Sequence, residues 1–171
     1  MADTAPAFVV PQLRAVLREA FEGPQAKWTY FIDNRPDAAV FGTVDGLSAE
    51  QASKPSGAGA STIASHVHHL CFSVAAASAW IRGDRSDLDW KESWRVRAVD
   101  AAEWAALKKR LRGEYDELLR AIDEKATSDE EAFGGAVGML AHAAYHLGAI
   151  RQKLAAATGT LERSPSPTAP P

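Results

Sequence analysis

The chain has 171 residues, 46% of them hydrophobic and 24% charged, which suits one globular domain with its own core and excludes collagen-like, coiled-coil-only and largely disordered classes. Nineteen Lys and Arg against 22 Asp and Glu leave a formal net charge of -3, so no long-range field exists to capture a nucleic acid. No apolar stretch approaches the roughly 20 residues that span a bilayer, because Ser73 and Ser78 interrupt the Ala-rich run after Leu70.

Met1 to Val10 has neither the basic start nor the long apolar segment of a secretory signal and is expected to be uncleaved. Cys71 is the only cysteine, so no intramolecular disulfide exists and a reducing, cytoplasmic location is the expectation. Because Cys71 sits in an apolar helical stretch, it is expected to be an inert packed thiol rather than a nucleophile.

Leu13, Val16, Leu17, Ala20 and Phe21 recur at three and four residues and predict a first helix that stops near Gly23 and Pro24. Trp28 to Phe31 reads equally as loop or as continuing helix. Val40, Val44 and Leu47 give the segment from Pro36 to Leu47 a helical spacing, and Ser48 with Gln51 has capping-box spacing for a short helix ended by Pro55. The Pro/Gly/Ser-rich stretch from Lys54 to Ala60 is a loop. Gly57-Ala-Gly-Ala-Ser-Thr62 lacks both the lysine of a phosphate loop and the third glycine of a dinucleotide fingerprint. Ser61 or Thr62 then caps a long helix ending near Gly83, with Ile63, Val67, Leu70, Val74, Ala77 and Ile81 along one stripe.

Asp84 to Trp94 is polar and irregular, and Trp94 to Val99 is a candidate for one short extended segment. Asp100 with Glu103, and Ser128 with Glu131, have capping-box spacing and open helices that run to about Ile122 and about Thr158. Four main helices with short extra helical segments make an all-α four-helix bundle over residues 1–161. Residues 162–171, Ser/Pro-rich with almost no apolar bulk, read as a disordered tail.

All five histidines fall in two segments, His66, His68 and His69 on the second long helix and His142 and His146 on the last. Residues i and i+4 of a helix differ by about 40°, so His142 and His146 stack one turn apart, where two imidazoles can share one metal. A third imidazole from another helix would complete a shell with one position left for water or substrate. The angles do not choose it. Relative to Ile63, His66 lies at about -60°, His69 at about -120° and His68 at about +140°, so His68 faces away and His66 is slightly the more inward. The alternative is a polar helix edge whose histidines bond to water or backbone.

The segment Thr62-Ile-Ala-Ser-His-Val-His-His-Leu70 resembles the "T-I-x-x-x-x-x-H-L" helix of the DinB/YfiT-like superfamily, and His142-Ala-Ala-Tyr-His-Leu-Gly-Ala-Ile150 resembles its "H-x-x-x-H-x-G-Q-I" helix. The likeness extends in helix order and loop placement over most of residues 8 to 158, with Ala149 where many members carry Gln. It implies a metal site of His69, His142 and His146 holding one divalent ion, commonly zinc or nickel, in a bundle that is often a homodimer. It also implies chemistry on a small-molecule substrate, with low-molecular-weight thiols as partners in transfer or isomerisation, or else metal-dependent hydrolysis.

The leading expectation is therefore a thiol-dependent transferase in which a metal on three histidines activates a thiol or water. The alternatives are a metal-dependent hydrolase and a non-catalytic, stress-related protein that binds metal or a small ligand. Position 143 is Ala, which removes the Glu of a His-Glu-x-x-His protease. Met139 and His66 stand three residues before His142 and His69, where a di-iron carboxylate bundle needs Glu. Trp80, Trp90, Trp94 and Trp104 are expected in the core rather than around a cavity. Tyr145 is read as packing, and Arg151 as a surface or dimer-interface residue.

Overall fold

The computed structural model describes residues 7–126 and 129–158. Its helices are α1 (Val9–Glu22), α2 (Val40–Asp45), α3 (Ala49–Ser53), α4 (Ile63–Ile81), α5 (Ala101–Lys125) and α6 (Glu130–Thr158), with a 3-10 turn at Glu92–Trp94. No strand occurs among the described residues, and none of their helices is long and apolar enough to cross a membrane. The four long helices form the expected bundle. α4 packs against α5 and α6, and α1 closes the bundle mainly against α6.

Local sequence explains where most helices start. Thr62, not Ser61, caps α4 in a reciprocal box with Ser65, and Ser48 with Gln51 and Asp100 with Glu103 do the same for α3 and α5. Ser128 lies outside the described residues, but Asp129, next to it, accepts the Ala132 N–H at 2.9 Å at the start of α6. The expected tail, residues 162–171, also lies outside them. α1 ends at Gly23, whose φ of 113° no side-chain-bearing residue adopts easily.

The stretch from Pro36 to Leu47 is helical only over Val40–Asp45. Pro36 and Asp37 instead cross Gly42 so closely that a Cβ there would lie 2.5 Å from the Pro36 carbonyl oxygen. Trp28 to Phe31 is loop, and the cause is Glu19. Its buried carboxylate reaches out of α1 to accept the backbone N–H groups of Tyr30 at 2.9 Å and Phe31 at 2.8 Å, which gives this turn the partners a helix would have supplied. Arg151 on α6 is part-exposed and pairs with buried Asp33 of the same loop.

The core runs between the four long helices. Leu17, Leu70, Leu111, Leu118, Ile122 and Ile150 are fully buried, each contributing roughly 1.5–3 kcal/mol. Phe21 stacks on Tyr115 at 4.7 Å, and Phe41 meets both rings, which ties α1 and α2 to α5. Residues 95–99 form no strand. Side chains pin them instead, Thr62 Oγ1 donating to Arg97 O at 2.8 Å and Val99 N–H donating to Ser53 Oγ at 3.0 Å. The chain from 84 to 99 is thereby laid across α4, and almost every residue of α4 from Ile63 to Val74 is buried.

Candidate metal centre

α4 and α6 face each other, and their histidines meet. One ligand-capable atom each of His69, His142 and His146 lies within 4.8 Å of the other two, and this is the one such cluster among the described residues. His69 Nε2 is 3.1 Å from His142 Nε2. A tetrahedral ion with metal–nitrogen bonds of 2.0–2.1 Å holds its ligand nitrogens about 3.3 Å apart, so this pair already stands at the spacing of two ligands.

Hydrogen bonds to the outer nitrogens set which nitrogen His69 and His146 offer. Ser93 Oγ donates to the Trp90 carbonyl at 2.6 Å, so its remaining capacity is to accept, and it does so from His69 Nδ1 at 2.8 Å. With the proton on Nδ1, the lone pair of His69 is on Nε2 and points at the cluster. His146 Nδ1 is engaged by His66 Nδ1 at 2.9 Å, which leaves its Nε2, while His66 Nε2 is held by Ser61 Oγ at 3.0 Å. His68 stays out of the cluster but does not face solvent: it is buried and bonds the Ser93 carbonyl at 2.9 Å. Ser93 thus fastens two neighbouring histidines of α4 to the 3-10 turn.

Burial sets the charge. Desolvation, then the neighbouring imidazoles, pushes His69 down to about 4 and His146 to about 3. Desolvation, followed by the Lys153 ammonium, takes His66 to about 4. Burial also lowers the half-buried His142. All four are neutral at pH 7, the form in which an imidazole ligates. Three neutral donors converging from two rigid helices, with the outer nitrogens of His69 and His146 already engaged, fit a divalent ion.

Several residues here escape sequence reasoning. Ser73, a turn beyond His69, places its hydroxyl 3.3 Å from His69 Nε2 and 3.2 Å from His142 Nε2; its i+4 spacing was the available signal. Trp94 stacks on His69 with ring centres 4.2 Å apart. Only Trp104 is a core tryptophan, its Nε1 donating to the Leu47 carbonyl at 2.9 Å. Trp80 and Trp90 are exposed and line a cavity of about 340 Å³ that Leu88, Ser73 and His142 also border. Tyr145 is largely exposed, its ring edge-on to His146 at 5.0 Å. Cys71 is fully buried and its thiol is pushed up to about 12 by desolvation, as an inert packed cysteine should be.

The sequence model of the DinB superfamily matches residues 35–150 of the chain. No curated protein and no solved structure matches it.

Proposed function

The chain belongs to the DinB superfamily, and on that premise we propose that it is a metal-dependent enzyme in which His69, His142 and His146 hold one divalent ion, zinc or nickel, to activate a small thiol for transfer. The observation that carries this reading is the convergence of three neutral imidazoles beside an open cavity. When bound there, such an ion supplies Lewis acidity that brings the pKa of a thiol or water toward 7.

The protein's own groups do the rest. Ser93 and His66 lock the rings of His69 and His146, so the donors are oriented in advance. Ser73 Oγ, lying against both His69 Nε2 and His142 Nε2, is placed to donate a hydrogen bond to an anionic sulfur or oxygen at the centre. Trp94, stacked on His69, shields that side from water.

Thiol transfer is favoured over hydrolysis for one reason. Among the described residues no carboxylate joins the histidine cluster, so an attacking water would lack the usual carboxylate base within that cluster. A thiol, with an ordinary pKa of about 8.5 against about 15.7 for water, needs far less help to ionise. Elemental analysis of protein purified without a histidine tag tests the proposal. About one equivalent of divalent metal per chain is expected. Stoichiometric metal that survives replacement of both His142 and His146 by Ala would move the site elsewhere.

A further inference from the structure

The cavity beside the histidines has a chemistry of its own. It lies between α4 and α6, with Trp80, Leu88 and Trp90 as walls and Ser73 and His142 on its border. At about 340 Å³ it is the size of a small-molecule site. The 84–94 segment that carries Leu88 and Trp90 is anchored to the histidines, because fully buried Ser93 bonds His69 Nδ1 and the Trp90 carbonyl together.

Among the described residues no Lys, Arg, Asp or Glu lines the cavity. Arg85 stacks its guanidinium over the Trp80 ring at 3.7 Å but pairs with Glu131 at 2.8 Å, so its charge is already matched. An anionic group seated between the indoles, away from the metal position, would leave water without gaining a counterion from the side chains of the lining. An uncharged aromatic or aliphatic group would instead remove from water the indole faces of Trp80 and Trp90, which are 43% and 51% exposed, at about 25 cal/mol per Å² buried.

We propose that this cavity binds the uncharged, apolar body of the substrate that reacts with the thiol, presenting its reactive end toward Ser73 and His142. The proposal rests on the reading of the histidines as a catalytic metal centre and adds to it the class of the second substrate, a neutral lipophilic electrophile. Such a ligand is bound by shape and aromatic contact, with the Ser73 hydroxyl and His142 as the polar side chains nearest its reactive end.

Two α6 glycines supply the test. Gly138 lines the cavity and has no atom within 4 Å of an added Cβ, whereas Gly134 has equally open space but does not line it. Phe at either position favours the helix by about the same amount, so only Gly138→Phe fills the cavity. The probe is the neutral dye N-phenyl-1-naphthylamine, compared by fluorescence titration with its anionic relative 8-anilino-1-naphthalenesulfonate, with metal content measured on the same samples. Saturable binding of the neutral dye is expected, at least tenfold weaker in Gly138→Phe, unchanged in Gly134→Phe, and at least tenfold tighter than that of the sulfonate. No saturable binding, equal binding in Gly138→Phe, or preference for the sulfonate overturns the proposal. So does dye binding that disappears as sedimentation shows the chain dimerising, since a second copy would then be the occupant. Dye binding by a protein that takes up no metal sinks the metal reading, and with it the role of the cavity as a substrate site; stoichiometric metal without dye binding sinks the cavity alone.

Discussion

His66 Nδ1 lies 2.9 Å from His146 Nδ1, so the histidine that helical angles slightly prefer as the inward residue supports a neighbouring imidazole, while His69 faces His142. The consequence is an ordering of two substitutions. Replacing His69 with Ala should abolish tight metal binding, because it removes one of three donors. Replacing His66 with Ala should weaken binding by only about 10–100-fold, the usual cost of losing a group that orients a ligand. Competition titration with a chromophoric chelator measures both, and the reverse ranking would mean that His66 is the ligand.

Ser93 should matter as much as His66, although it touches no metal. Its hydroxyl fixes the proton of His69 on Nδ1. Ser93→Ala frees the ring to turn and to present the wrong nitrogen, and a loss of about 10–100-fold in metal affinity is expected. Ser93→Thr keeps the hydroxyl and should restore most of it. If both variants lose affinity equally, Ser93 acts by packing and not through its hydrogen bond.

How far the sequence revealed this architecture depends on the range of the interaction. Helix starts were legible because capping boxes are read within four residues, as at Thr62 and Ser65 or Asp100 and Glu103. The pairing of His142 with His146 was legible for the same reason, being one turn of helix. The choice of His69 came from resemblance, because a shift of about 60° is within the freedom of a helix to rotate in a bundle. Ser93 bonds His69 across 24 residues of irregular chain, and no periodicity carries that. Trp80 and Trp90 were assigned to the core on composition, whereas the path of residues 84–94 left them facing solvent.

Glu19 is a similar long-range case with a stability consequence. Its carboxylate accepts three backbone N–H groups, those of Tyr30, Phe31 and Ile32. Glu19→Ala strands these donors and should destabilise the fold by about 2–4 kcal/mol, read as a lower urea midpoint. Glu19→Gln, which keeps a carbonyl acceptor, should cost clearly less. Equal losses would show that volume, not hydrogen bonding, is what the turn needs.

Cys71 gives a pH prediction. Desolvation raises its pKa from an ordinary 9.0 to about 12. A raised pKa in the folded state means that the unfolded chain gives up its thiol proton first as pH rises. The contribution is therefore fully present below about 9, declines above it and is lost as pH passes about 12. At pH 8 to 9 the native thiol should resist iodoacetamide and react promptly once urea unfolds the chain. Rapid alkylation of the native protein would contradict the buried, protonated state.

The charge of the bound metal distinguishes thiol transfer from hydrolysis. Three neutral imidazoles leave a divalent ion its full double charge, so the remaining position should prefer an anionic ligand such as a thiolate to a neutral one. Cobalt substituted at His69, His142 and His146 makes this visible, because sulfur bound to cobalt gives a charge-transfer band that zinc lacks. Small thiols should produce that band in the parent protein and fail to do so when His142 and His146 are both Ala. Ser73→Ala should leave metal content unchanged but weaken the thiol response, since its hydroxyl lies against two of the three donor rings. Adding a neutral electrophile should then consume the thiol at a rate that Gly138→Phe lowers. If no thiol perturbs the spectrum while simple esters or amides are turned over with metal dependence, the hydrolytic alternative replaces thiol transfer.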